Sequence, residues 1–211
     1  TTQPFFCMMS VFDPHNPYED YPLEMREYVD EQKMPDPLVN EEMGRRRPCG
    51  VRQEEQHSYL GAVNKFTRED FRKMRLGYFA SIALLDLEVG RILEALEEKG
   101  LTENTLVIFT SDHGDMLGER GLWFKMSFFE GSARVPLMIA APGLAPGRVD
   151  TPVSTIDVLP TLAEIAGVSL DEVMPWTDGE SLVAVAQGAE RTAPVAIEYA
   201  AEGSIAPLVC L

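Results

Sequence analysis

Apolar stretches no longer than a β-strand alternate along this chain with segments of helical periodicity, and few architectures accept that arrangement. Phe5 to Phe12, Thr105 to Thr110 and Val135 to Ala140 are near-continuous apolar runs, the pattern of strands buried on both faces, and Val195 to Tyr199 is a further strand candidate. Phe71, Met74, Tyr78, Ile82, Leu85, Val89, Ile92, Leu93 and Leu96 recur at helical spacing and predict a helix over Thr67–Lys99. Thr67 with Asp70 predicts its N-terminal cap and Gly100 its stop, while Gly77 and Gly90 allow either one long helix or two with a bend. A second helix is expected over Ser154–Ala166, capped by Ser154 and Asp157 and stopped by Gly167. Buried strands alternating with amphipathic helices predict an α/β fold with a mostly parallel sheet flanked by helices.

The chain has 211 residues, 45% of them hydrophobic and 25% charged, the balance of a globular protein of one large or two small domains. A formal net charge of −16 argues against nucleic acid and anionic membrane surfaces as partners. No apolar run approaches the ~20 residues of a membrane-spanning helix. The Arg45-Arg46-Arg47 cluster reads as a solvated loop. Cys7, Cys49 and Cys210 cannot all pair within one chain, so reduced, buried thiols and a cytoplasmic location are expected. From Tyr18 to about Asn64, four prolines and no periodicity predict a long irregular covering segment.

Ligands of open α/β sheets bind beyond the carboxyl ends of the strands. Phe5–Phe12 delivers His15 to that edge, and Thr105–Thr110 delivers Asp112 and His113. A carboxylate oxygen beside an imidazole nitrogen suits Mn²⁺, Zn²⁺ or a mixed Ca²⁺ site, and Gly114 would let the backbone turn sharply there. Taken alone, Ser111-Asp112-His113-Gly114 is equally a polar turn. Lys125, after Leu122-Trp123-Phe124, suits either an anionic group or snorkelling over apolar surface. Glu130 and Arg134 are spaced for a helical ion pair, and His57 reads as a surface residue.

The run Phe109-Thr110-Ser111-Asp112-His113-Gly114-Asp115-Met116-Leu117-Gly118-Glu119 resembles the late metal-binding motif of sulfatases in the alkaline phosphatase superfamily, closest to the bacterial choline-sulfatase and arylsulfatase type. The likeness continues through Gly121–Lys125 and Glu130–Leu137, and Asp13-Pro14-His15-Asn16-Pro17-Tyr18 is similar to the family's histidine loop. The ordered set extends from about Phe5 to Leu182, including the helix with Tyr78, Asp86 and Gly90 and the Asp157–Leu162 segment. The resemblance implies an alkaline phosphatase-like fold, present in part. It implies that Asp112 and His113 are ligands of a divalent metal ion, Ca²⁺ or Mn²⁺, with His113 standing where many sulfatases have Asn. It further implies that Lys125 contacts the sulfate group of a small-molecule sulfate ester, and that His15 contacts the sulfate or protonates the leaving oxygen.

The family's nucleophile is a formylglycine made from Cys or Ser in a Cys/Ser-x-Pro-x-Arg motif upstream of the histidine loop, and no such motif occurs here: Cys7 is followed by Met8-Met9 and Cys49 by Gly50-Val51-Arg52. The chain is therefore expected to be a middle-to-late part of a sulfatase, inactive by itself. Its expected layout is a strand and histidine loop over 1–17, an irregular insertion over 18–64, an α/β core with the metal motif over 65–182 and the start of a C-terminal region over 183–211. Phosphonate monoester or phosphodiester hydrolysis is the nearest alternative chemistry, and a non-catalytic binding or scaffold module the alternative outside enzymes. Exposed strand edges and apolar surface make a homo-oligomer an expected state.

Overall fold

Thr67 opens the longest element as its side chain dictates. Its hydroxyl accepts the Asp70 amide at 3.2 Å, and its own amide donates to the Asp70 carboxylate at 2.8 Å, a complete capping box. Helix α1, Arg68–Glu98, then runs unbroken through Gly77 and Gly90, and Gly100 beyond its end takes a positive φ of 62°. In this computed structural model, residues 3–37, 67–191, 194–200 and 207–211 are described. They form two compact units, Thr1–Asn104 with Asp115–Lys125, and Thr105–Gly114 with Met126–Leu211.

The core of the first unit gathers around Trp123, which is 1% exposed, with Met116, Leu122, Tyr18, Met25 and Met34. Ring centroids of Phe71 and Tyr18 lie 5.3 and 5.8 Å from that of Trp123, and Tyr78 stands edge-on to Tyr18. These groups reach only the first half of α1, where Arg75, Leu76, Gly77, Ala80 and Ser81 are buried. Farther along, Leu87, Ile92 and Leu93 are exposed, so the apolar stripe read over the whole helix is covered only in part. Gly77 is the closest approach: a Cβ there would lie 1.7 Å from the Tyr18 carbonyl oxygen.

The first unit departs from expectation at its start. Phe5–Phe12 forms no strand, and Phe6 and Met8 are each 78% exposed, because a strand needs a bonded neighbour and none pairs with this run among the described residues. The irregular segment includes a 3₁₀ turn at Leu23–Tyr28. Cys7 is a free, exposed thiol rather than a buried one, and Cys210 is free and partly exposed. Arg45–Arg47, Cys49 and His57 lie outside the described residues.

In the second unit, β1 (Val107–Thr110) pairs antiparallel with β2 (Leu137–Ala140), Phe109 opposite Met138. The short helix α2, Glu130–Ala133, precedes β2, and the Glu130–Arg134 ion pair forms at 3.1 Å on the surface. Helix α3, Val158–Ala166, follows a 3₁₀ turn at Thr155–Asp157 with the expected Ser154–Asp157 capping box, and Gly167 ends it. Asp157 is fully buried; its carboxylate also accepts the Glu180 amide at 2.9 Å and pairs with the buried Arg191. Short helices α4 (Leu170–Val173) and α5 (Val183–Ala186) lead to β3 (Ile197–Tyr199), which pairs antiparallel with β4 (Leu208–Cys210).

The α/β character thus holds, but the mostly parallel sheet does not: among the described residues both strand pairs are antiparallel. A parallel pair needs a crossover, usually helical, and the long helix here precedes β1 instead of linking it to β2. The strands are also half-covered rather than fully buried, Met138 being 59% exposed, as a two-stranded ladder permits. No helix among the described residues is long and apolar enough to cross a membrane.

Gly77 and Gly90 should respond oppositely to a methyl group. Gly90→Ala meets nothing within 4 Å and should stabilise by up to about 1 kcal/mol through helix propensity. Gly77→Ala collides with the Tyr18 backbone and should cost about 1–3 kcal/mol despite the same propensity gain. Urea unfolding midpoints of the two variants provide the comparison.

Candidate active site

His15 sits at the end of the apolar run, its amide bonded to the Phe12 carbonyl at 3.1 Å and its ring 4.6 Å from the Phe12 ring. Its Nδ1 lies 2.8 Å from the Asn16 carbonyl oxygen. A carbonyl only accepts, so Nδ1–H is the donor and the neutral ring carries its lone pair on Nε2. Lys125 Nζ approaches that nitrogen at 2.7 Å, the ammonium donating to it. Lys125 is half-buried behind Leu122, Trp123 and Phe124, which places it on the core of the first unit rather than on an open surface. The two residues, 110 positions apart, are thus brought together.

Tyr18 and Asp115 lie between His15 and Lys125 in sequence, and spacing does not mark either as a site residue. Tyr18 Oη donates to Asp115 Oδ2 at 2.7 Å, and Asp115 Oδ1 accepts the amides of Leu117 and Phe124 at 2.8 and 3.1 Å. Burial, then the neighbouring Asp115 charge, push the Tyr18 hydroxyl far above its ordinary pKa; the same two causes push Tyr78 up to about 12. In the sequence Tyr18 and Asp115 are each marked only by a place in a run that resembles a sulfatase motif, Asp13–Tyr18 or Phe109–Glu119.

In the second unit, β1 ends at Thr110, whose hydroxyl bonds the Pro136 carbonyl at 2.9 Å. Asp112 and His113 follow in the turn at its carboxyl end. Ser111 Oγ donates to the His113 carbonyl at 2.7 Å, and the His113 amide donates to Asp112 Oδ1 at 2.9 Å. His113 Nδ1–H donates to the Gly114 carbonyl at 2.8 Å, leaving its Nε2 3.7 Å from Asp112 Oδ2. Partial burial works to raise the Asp112 pKa, but the His113 amide and ring and the Ser111 hydroxyl outweigh it and hold the carboxyl below its ordinary value. Gly114 serves by close approach rather than by a sharp turn: its amide bonds Ser132 O at 2.7 Å, and a Cβ would lie 2.2 Å from Gly131 O.

One carboxylate oxygen and one imidazole nitrogen 3.7 Å apart suit two donors on a shared cation, each ~2.0–2.4 Å from it. Among the described residues no third His, Cys, Asp or Glu joins them in a group that could hold a metal ion. The first unit therefore holds His15 with Lys125, and the second holds Asp112 with His113.

The sequence profile of the sulfatase family matches residues 1–168, and the chain belongs to that family. It is 61% identical over 145 residues to a choline-sulfatase of Rhizobium meliloti (strain 1021), covering 69% of this chain and 28% of that protein. It is 34% identical over 177 residues to an arylsulfatase of Clostridium perfringens, covering 81% and 36%. The fold is similar to a phosphonate monoester hydrolase of Agrobacterium radiobacter, with a TM-score of 0.69 and 26% identity over 89% of this chain and 40% of that one. The chain thus spans roughly a third of the length of these relatives.

The raised tyrosines predict a pH dependence with a definite sign. Of the six tyrosines, Tyr18 and Tyr78 should resist ionisation while the fold persists. The unfolded chain loses those protons from about pH 10, so the stability they contribute is present below that value and is lost as pH rises toward 12. Tyrosinate absorbance followed with denaturant midpoints across that range checks both statements.

Proposed function

We propose that the protein hydrolyses sulfate esters, with Asp112 and His113 holding part of the shell of a divalent cation, Ca²⁺ or Mn²⁺. When bound, that cation would supply positive charge to the non-bridging oxygens of the ester. The observation that carries the reading is the 2.7 Å contact between Lys125 Nζ and His15 Nε2. Lys125 offers a point charge to an anionic sulfate group. His15 has its Nδ1–H committed to Asn16, so Nε2 is the nitrogen that faces the leaving oxygen; it holds a lone pair, takes a proton from the Lys125 ammonium that donates to it, and passes that proton on. The attacking group of the family, formylglycine, has no source motif in this chain.

Sulfate is preferred to phosphonate because the 61% identity to a choline-sulfatase far exceeds the 26% to the phosphonate hydrolase. The substrate is a small-molecule sulfate ester. The free Cys7 and Cys210 thiols fit a reducing compartment, the cytoplasm.

The test uses the complete gene product with added divalent cation, assayed on an aryl sulfate and an aryl phosphonate. Sulfate turnover should exceed phosphonate turnover, and Lys125→Ala and His113→Ala should each lower kcat/KM by about 100-fold or more, the scale of losing one preorganised electrostatic contact. Faster phosphonate turnover would reassign the substrate, and turnover indifferent to both substitutions would reject the site.

A further inference from the structure

Leu117, at φ 46°, and Phe124, at φ 66°, hold the left-handed backbone conformation that side chains disfavour. Such a conformation persists only where the surroundings over-determine it, and it clusters where a protein aims a functional group. Here a single oxygen, Asp115 Oδ1, accepts the amides of both residues. The Phe124 carbonyl in turn accepts the Met116 amide at 2.8 Å, closing the loop on itself. Phe124 immediately precedes Lys125, so the backbone that aims the ammonium is pinned to this carboxylate.

The other oxygen of Asp115 reaches the opposite partner. Tyr18, three residues after His15, donates its hydroxyl to Oδ2 at 2.7 Å from a ring that is 4% exposed and packed between Tyr78 and Trp123. The histidine loop and the lysine loop, far apart in sequence, are therefore tied to the two oxygens of one side chain. We propose that Asp115, anchored by Tyr18, is the positioning residue that sets the His15–Lys125 contact. Its catalytic consequence rests on the function proposed above; its geometric consequence does not.

The geometry requires acceptors for two amides on one side and a partner for a hydroxyl on the other. Asn meets that requirement, since its Oδ1 can accept the amides and its Nδ2 can donate to Tyr18 Oη, whereas Ala meets neither. Tyr18→Phe removes one hydroxyl and keeps the ring in its stack, so it reports on the tie without opening a cavity.

The test is NMR of the chain labelled with ¹⁵N-histidine, the His15 signals being identified with His15→Gln. In the unsubstituted chain, His15 should show the Nδ1–H tautomer. Asp115→Ala and Tyr18→Phe should average its two ring nitrogens while the chain stays folded, and Asp115→Asn should keep the original pattern. In the complete gene product, kcat/KM on the sulfate ester should fall about 10- to 100-fold for Asp115→Ala and Tyr18→Phe and largely recover with Asp115→Asn. If Asp115→Ala does not fold, Tyr18→Phe decides. An unchanged His15 tautomer in folded Tyr18→Phe, or Asn as damaging as Ala, would overturn the proposal. Absence of ester hydrolysis in the unsubstituted gene product would overturn the functional reading instead, with the ring signals still deciding the positioning.

Discussion

Three donors converge on the carboxylate of Asp115, and most of the first unit is arranged to keep them there. Tyr18 can deliver its hydroxyl only because α1 presents Gly77, and no larger residue, where the Tyr18 backbone crosses the helix. Two residues earlier on α1, Arg75 is buried and donates Nη1–H to the Leu117 carbonyl at 2.6 Å. Burial lowers the Arg75 pKa, and the nearby Glu119, 3.7 Å away, works against that loss of charge. Leu117 is thus gripped from both ends, its amide by Asp115 and its carbonyl by Arg75. Two charged side chains hold a backbone that its own side chain disfavours.

The two histidines are prepared by the same local device. Each donates Nδ1–H to the carbonyl of the residue after it, Asn16 or Gly114, at 2.8 Å. That bond selects the tautomer and leaves Nε2 as the nitrogen with the lone pair, facing a lysine in one unit and an aspartate in the other. A one-residue backbone loop thus does for each ring what a separate carboxylate often does elsewhere. The cost in sequence is nil, which is why no pattern announces it.

Features governed by neighbours in sequence were legible. Both capping boxes, Thr67 with Asp70 and Ser154 with Asp157, form as their spacing requires, and both glycine stops hold. The four residues the sequence proposes for chemistry fall as two pairs, His15 with Lys125 in the first unit and Asp112 with His113 in the second. Strand direction was not legible, because an apolar run such as Val135–Ala140 reads alike in parallel and antiparallel ladders. Nor was the covering of α1: Phe71, Tyr78 and Leu93 belong to one apolar series, yet Phe71 and Tyr78 meet the rings of Trp123 and Tyr18 while Leu93 is exposed. Tyr18 and Asp115, 97 positions apart, carry no local mark of their bond.

The chain visits each unit twice, crossing after Asn104, Gly114 and Lys125. Met116, Leu122 and Trp123, the largest fully buried side chains of the first unit, come from its second, eleven-residue visit, Asp115–Lys125. As the polypeptide leaves the ribosome, α1 is therefore complete before Met116, Leu122 and Trp123 have been made, with only the segment that precedes it, Tyr18 included, to pack against. The first unit can consolidate only once Lys125 has emerged, by which time β1 is already outside the exit tunnel. Neither unit is a continuous stretch of chain, so no single proteolytic cut or gene boundary can separate one intact from the other.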